Sequence, residues 1–299
     1  MTVTQNPPQQ IRLAELLGAL SFALDLVEGQ PAGHCMRCCW IGIHIGRATG
    51  LSDADIGELY YTLLLKDLGC SSNAARICQL YMTDDLTFKR DAKNIDGSLP
   101  QALRFVLSHT GLQEGLAGRI RALVNAFMTA GTAPKELTET RCHRGAEIAR
   151  TMRFSENVAQ GIQNLDEHWD GGGLPVGVRG GNIPIYARIA LLAQVVDVFH
   201  TGVGIEAARR EVQNRSGTWF DPQLVEAFNR VSEDANFWTT LGSPDLPSAI
   251  HNLEPAQQVK TVDEDYLDDV AAAFAKVIDS KSPYTSGHSE RVTLFTDLV

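Results

Sequence analysis

Apolar residues recur at three- and four-residue spacing along most of the chain. Over residues 11–27 they stand at Ile11, Leu13, Leu16, Leu17, Leu20 and Leu24, one face of a helix that stops near Gly29 and Pro31. A second helix is predicted from His34 to Thr49, stopping at Gly50, and a third, capped by Ser52 or Asp53, over the Leu-rich run to Leu68 and Gly69. The same spacing returns over 102–107, 116–129, 135–152, 156–165, 185–199 and 205–214. Asp221-Pro222, a cap followed by a first-turn proline, opens a further helix. Turn signals at 96–100 and 131–134 punctuate the series, and β-branched alternation is almost absent. The pattern predicts an all-α fold.

Two stretches depart from it. Residues 169–184 hold six glycines and two prolines between strongly apolar helices, and so read as an ordered functional loop rather than a domain boundary. Residues 241–258, interrupted by Gly242, Pro244, Pro247 and Pro255, read as a linker, after which a helix resumes over 262–278. An internal repeat is also visible. Gly33-His34-Cys35-Met36-Arg37 resembles Gly287-His288-Ser289-Glu290-Arg291, each preceded by an apolar helix and a short loop with a proline (Pro31; Pro283). The expected division is an N-terminal helix (1–30), a first unit (31–240), a linker (241–261) and the truncated start of a second unit (262–299) of a longer protein.

Composition narrows the classes. With 299 residues, 44% of them hydrophobic, the chain can bury a sizeable core, and no apolar run is long enough for a membrane span. The first ten residues lack the basic flank and apolar core of a secretory signal, so a cytoplasmic protein is expected. A net charge of −10 argues against a duplex-DNA binder, which needs a clustered basic face. Six cysteines without a secretory signal predict no disulfide framework. Cys35-x-x-Cys38 looks like half a zinc site, but no second pair follows, and buried core thiols are the expectation. The dinucleotide fingerprint, the P-loop and the nucleophile elbow are all missing.

The segment Ser282-Pro283-Tyr284-Thr285 with Gly287-His288-Ser289-Glu290-Arg291-Val292 resembles the opening of an HD-GYP domain. The first unit follows the landmarks of that family in order. Leu63-Leu64-Leu65-Lys66-Asp67-Leu68-Gly69 resembles the His-Asp doublet segment, and Gly145-Ala146-Glu147-Ile148 a helix bearing a ligand histidine. Asp166-Glu167-His168-Trp169-Asp170-Gly171-Gly172-Gly173-Leu174-Pro175 resembles the signature loop. Later landmarks are Ile183-Pro184, Ala187-Arg188-Ile189 and Gly217-Thr218-Trp219-Phe220-Asp221-Pro222. The resemblance implies an all-α HD-domain-like bundle with a Gly-rich GYP-like loop, and metal-dependent hydrolysis of cyclic di-GMP.

The ligand positions depart from the family. His34 matches the first ligand and Asp67 the doublet's Asp, whereas the doublet's His is Lys66. Arg141 stands for another histidine, Leu165 and Asp166 for a histidine pair, Gln194 for the distal Asp, and Cys70 for a lysine. Lys66 and Arg141 would put fixed positive charge where a divalent cation sits, so His34 and Asp67 are expected to be vestigial ligands, with both cations pairing to Asp67. The first reading is a catalytically degenerate regulatory or scaffold module with no cofactor of its own, whose partner is the second unit or another signalling domain. His288 would be the first metal ligand of that second unit only.

The alternative is an active phosphohydrolase with a reduced or relocated site for iron, manganese, nickel or zinc, with Lys66, Asp67 and Glu167 as catalytic candidates. Donors for a relocated site are His143, Asp166, Glu167, His168 and Asp197, while His44, His109, His200 and His251 carry no ligand pattern. A third class is a helical output module that grips another signalling protein. Arg141, Gly171, Gly173, Pro175, Arg179 and Arg188 are the candidates for holding an anion such as a cyclic dinucleotide, set against a loop that is packing scaffold alone. The apolar faces at Val270, Phe274 and Val277 and at Val292, Phe295 and Leu298 suggest a homodimer contact.

Overall fold

A computed structural model describes residues 12–93, 95, 99–112, 114–255, 262–281 and 287–297. The turn expected at 96–98, residues 256–261 of the expected linker, the second proline loop at 282–286 and Leu298 lie outside them. The described residues are helical, with an isolated bridge between Ser216 and Phe220 and no strand. No helix among them is long and apolar enough to cross a membrane.

The main core is built on α2 (His34–Ala48), which packs against α1 (Leu13–Glu28), α3 (Asp53–Leu65) and α10 (Ile185–Gly202). Cys38, Cys39, Ile41, Ile43 and Ile45 of α2 are all fully buried, so this helix is apolar nearly all round, as a central helix must be. Local signals set its neighbours. Ser52 and Asp55 form a reciprocal capping box at the start of α3, and Ser155 caps α9 (Glu156–Gln163) through the Val158 N–H. The core closes with α8 (Ala133–Thr151), α11 (Ile205–Asn214), α12 (Pro222–Ser232, capped by Asp221) and α13 (Ala235–Leu241).

A smaller cluster of Ile77, Leu80, Tyr81, Phe88, Ala126 and Ala133 lies to one side, built on α4 (Ala74–Tyr81), α5 (Asp85–Ala92), α6 (Leu99–His109) and α7 (Leu116–Thr129). Sequence periodicity passed over α4 and α5, because two turns give too few repeats to register. In α7 it located the helix but not its inward face. Small Ala122 and Ala126 are buried there, while Leu116, Ile120, Val124 and Phe127 are exposed.

Two expectations change. The stretch expected to be a linker contains α14 (Leu246–His251), which lies against α2 with Leu246, Ile250 and Leu253 buried. Three anchors in eight residues suffice for docking but not for a visible period. The apolar face of α15 (Glu264–Asp279) offered to a second copy is covered by the chain itself. Val270, Phe274 and Val277 are buried, and α15 packs on α8 and on the short 3-10 turn Cys70–Asn73. Val292 and Phe295 of α16 (His288–Asp297) remain exposed.

Candidate functional site

The site forms where the start of α2 meets the end of α3. Fully buried Asp25 accepts hydrogen bonds from the Gly33 N–H (2.7 Å) and the Cys35 N–H (3.0 Å), which fixes the first turn of α2. Gly33 takes a φ of +83°, a conformation that L side chains rarely adopt, and this turns the chain into the helix. His34, the first residue of α2, thereby points into the core with no exposed surface.

Its two ring nitrogens face different partners. Nδ1 lies 2.6 Å from Asp197 Oδ2, and Nε2 lies 3.0 Å from Lys66 Nζ. An ammonium only donates, so Nε2 accepts and the ring proton sits on Nδ1, donated to Asp197. Burial and neighbouring Lys66 pull the His34 pKa down to about 4, so the ring is neutral. Lys66, just beyond α3, ion-pairs with Asp67 Oδ2 and donates to Gln194 Oε1 at 3.2 Å. Three N–H groups thus meet three acceptors: His34, Asp67 and Gln194. Burial works against the Lys66 charge, but Asp67 outweighs it and holds the ammonium well above its usual range. Burial likewise opposes the Asp67 carboxylate, and Lys66 and then Lys93 hold it well below its usual range.

Thiols complete the lining. Cys35 and Cys70 donate to the two oxygens of Asp67 at 3.5 and 3.6 Å, and Cys38 Sγ lies 3.8 Å from both nitrogens of His34. Burial pushes all three thiols up, so they stay protonated. No disulfide joins the cysteines, and five of the six are buried, as expected. Their role as part of a polar shell was not legible, because the pairing partners are distant in sequence.

Among the described residues two donor groups have the compactness of a metal site: His34, Cys38 and Asp197, and Glu28, Asp67 and Cys70. In the first, His34 and Asp197 bond each other, and Arg37 Nε stands 2.5 Å from Asp197 Oδ1. In the second, Lys93 Nζ lies 3.5 Å from Glu28 and 4.0 Å from Asp67, and Lys89 Nζ lies 3.5 Å from Glu28. Burial raises the Glu28 pKa, but Lys93 and Lys89 outweigh it and keep it ionised. A divalent ion between His34 Nε2 and Asp67 would have to share the place of the Lys66 ammonium. At about 4 Å two positive charges repel by about 4 kcal/mol at an effective dielectric of 20, and a doubly charged ion by more. The residues present do not fit a metal there.

Arg141 corrects one expectation: it ion-pairs with Asp166 rather than Asp67. Helix α8 brings its guanidinium to Asp166, just after α9, while leaving it near Cys70 and Glu28 in the lining of one cavity. Glu167 is corrected as well. Its buried carboxylate accepts from the backbone N–H groups of Val176 (2.9 Å), Gly177 (2.9 Å) and Val178 (2.8 Å), so both oxygens hold the Gly-rich loop instead of facing a substrate. Gly173 packs so closely that a Cβ there would run into the backbone of Asp166, Glu167 and His168. Among the relocated donors, His143 is exposed, and His168 stacks on Trp219 with ring centroids 4.0 Å apart.

The anion-holding set is not brought together. Arg188 Nη1 bonds Asp221 Oδ2 at 2.6 Å, Arg179 is exposed, and Gly171, Gly173 and Pro175 sit in the loop. Of the six, Arg141 alone lines the neighbouring cavity of about 390 Å³ between the two cores. Gln194, Cys70 and Lys93 also line it, whereas His34, Lys66 and Asp67 do not.

The start of α16 has the same local construction as the start of α2. Asp279 Oδ2 accepts from the Ser289 N–H at 3.0 Å, and Gly287 has a φ of +66°. Asp25 precedes Gly33 by the same eight residues that separate Asp279 from Gly287. His288, in contrast to His34, is exposed.

The all-α bundle matches an HD-domain fold, and the chain is similar to several known proteins of that kind. Residues 120–224 match the model described as HD domain. Over all 299 residues it is 50% identical to the 3'3'-cGAMP-specific phosphodiesterase 3 of Vibrio cholerae, of which it spans 64%. It is 22% identical over 228 residues to the cyclic di-GMP phosphodiesterase of Thermotoga maritima, covering 74% of this chain and 50% of that protein. A crystal structure of cyclic GMP-AMP specific phosphodiesterases in V. cholerae covers 97% of this chain at 43% identity with a TM-score of 0.75, and is itself 65% covered.

Proposed function

We propose that this protein belongs to the cyclic-dinucleotide phosphodiesterases of the HD-GYP type, and that its unit 31–240 serves that activity without a metal. The observation that carries this reading is the Lys66 ammonium, bonded to His34 Nε2, Asp67 and Gln194 where a bound ion would need the same donors. With its charge satisfied internally, the unit acts as a regulatory or scaffold element. The hydrolytic metal centre belongs to a second unit that begins near Val262 and takes His288 as its first ligand. The shared spacing of Asp25–Gly33–His34 and Asp279–Gly287–His288 supports a two-copy arrangement. The similarity to cyclic-dinucleotide phosphodiesterases supports the substrate class.

A second reading has an observation of its own. The relative that is 50% identical over this whole chain is named as a phosphodiesterase, and the Glu28–Asp67–Cys70 group is compact enough for a single ion. In that reading the first unit hydrolyses the phosphodiester itself, through a reduced metal site that includes Asp67. The test is hydrolysis of 3'3'-cGAMP and cyclic di-GMP by the full-length protein, carrying the whole second unit, with manganese, iron, nickel or zinc added. Turnover is expected to vanish in His288→Ala and to survive in Asp67→Asn. Loss in Asp67→Asn with the fold intact would establish the second reading instead.

A further inference from the structure

The cavity of about 390 Å³ beside the ammonium centre has a divided wall. Tyr81, Phe88, Phe105 and Leu137 line it from the small cluster, and Leu191 and Val195 from α10, so most of its surface is apolar. At the other end stand Glu28 and Lys93. Glu28 is buried and Lys93 partly so, and each keeps a buried atom without a hydrogen bond, Glu28 Oε1 and Lys93 Nζ, the latter 3.5 Å from the other oxygen of Glu28. Lys89 lies 3.5 Å from Glu28 Oε1 but directs its hydrogen bond to the Cys70 carbonyl at 2.8 Å. A buried acceptor and a buried donor, both unsatisfied, therefore face one apolar chamber, and unpaired buried polar atoms call for a partner.

The charge balance indicates what kind of partner. Four cations, Lys66, Lys89, Lys93 and Arg141, are matched by four carboxylates, Asp67, Asp85, Glu28 and Asp166. A charged head of either sign would meet one like and one opposite charge, Glu28 and Lys93, and so lose its hydration without a net gain in pairing. A neutral head that both donates and accepts, a hydroxyl or an amide, satisfies the two free atoms together. The volume falls within the range of small-molecule pockets, which are typically about 300–1,000 Å³, apolar, and provided with a few placed polar groups.

We propose that this cavity is a binding site for a neutral amphipathic molecule, with an alkyl or aryl body against the apolar wall and an amide or hydroxyl head between Glu28 and Lys93. This names the ligand for the regulatory reading and rests on it for biological purpose. Binding itself is measurable whether or not the unit regulates anything, so failure of one does not decide the other.

The experiment is calorimetric titration of the intact protein with octanamide, and in parallel with octanoate and with 3'3'-cGAMP. Octanamide is expected to bind, and octanoate to bind at least about tenfold more weakly. Lys93→Met is expected to weaken octanamide by about tenfold or more. Because Lys93 also faces Glu28, a second variant is needed. Ala102→Phe, on a partly exposed wall of the cavity, should abolish binding while leaving the circular dichroism spectrum and melting temperature near those of the parent. The proposal is overturned if octanamide does not bind, if octanoate or the cyclic dinucleotide binds as tightly as octanamide, or if binding survives Ala102→Phe. Survival in that variant would place the amphiphile elsewhere, for instance on the exposed apolar face of α7.

Discussion

The starts of α2 and α16 make the most instructive pair in this molecule. Each has an aspartate eight residues before a glycine of positive φ, a histidine next, and an arginine three residues after that histidine. At α2 the aspartate is fully buried, and the histidine enters a shell whose every place is taken by the chain: Asp197 on Nδ1, Lys66 on Nε2. At α16 the local turn is the same and the histidine is exposed. The local sequence thus builds the turn, while what the histidine does depends on which residues the rest of the fold brings to it. Conservation of a turn and conservation of a chemistry are separate matters here.

The comparison breaks first at Lys66. Lys66→Met should leave Asp67 buried with Lys93 as its nearest cation, and destabilise the protein by about 3–5 kcal/mol, read from urea unfolding. A loss below about 1 kcal/mol would mean that the ammonium is not the element that neutralises the shell.

The pH dependence of stability follows next. His34 has a folded-state pKa of about 4 against an ordinary 6.5, as does His168, in both cases through burial first. Below 6.5 the unfolded chain takes up protons that the native rings refuse, so stability must fall from pH 6.5 down to about 4 and change little from this source above 6.5. Each ring adds a slope of up to about 1.4 kcal/mol per pH unit. In His34→Asn the slope should shrink by its share; an unchanged slope would mean that the ring is charged in the native state.

Asp25→Ala and Asp279→Ala sharpen the comparison directly. The first strips two buried N–H groups of their acceptor and should cost about 2–3 kcal/mol, the second about 1 kcal/mol at a more open helix start. Equal costs would mean that the two aspartates hold their turns equally strongly. Glu167→Gln, which weakens the clamp on three backbone N–H groups, should cost about 2 kcal/mol and lower the proteolytic resistance of the Gly-rich loop. The smallest effect is expected at Arg141→Gln, within about 1 kcal/mol, because its pair with Asp166 is partly exposed.

Much of the frame could be read from residue order. Caps at Ser52 and Asp221 placed two helix starts, and apolar spacing located α1, α2, α3 and α10. Lys66 beside Asp67 already signalled positive charge at a ligand position, and the structure adds its acceptors. What could not be read depends on contacts distant in sequence. Arg141 ion-pairs with Asp166, a partner on a different element, and Glu167 meets the N–H groups of a loop about ten residues further on. The pairing of His34 with Asp197 spans 163 residues, and no local pattern encodes it. The docking of α14 and the self-covered face of α15 likewise belong to the assembled core.

The central claim is that the Lys66 ammonium takes the place a metal would need. The direct test is elemental mass spectrometry of the untagged protein, purified without chelators, alongside Asp67→Ala and His288→Ala. Less than about a tenth of an equivalent of iron, manganese, nickel or zinc that is sensitive to Asp67→Ala is predicted. About one equivalent or more that disappears in Asp67→Ala and persists in His288→Ala would contradict it, and would place the ion in the first unit.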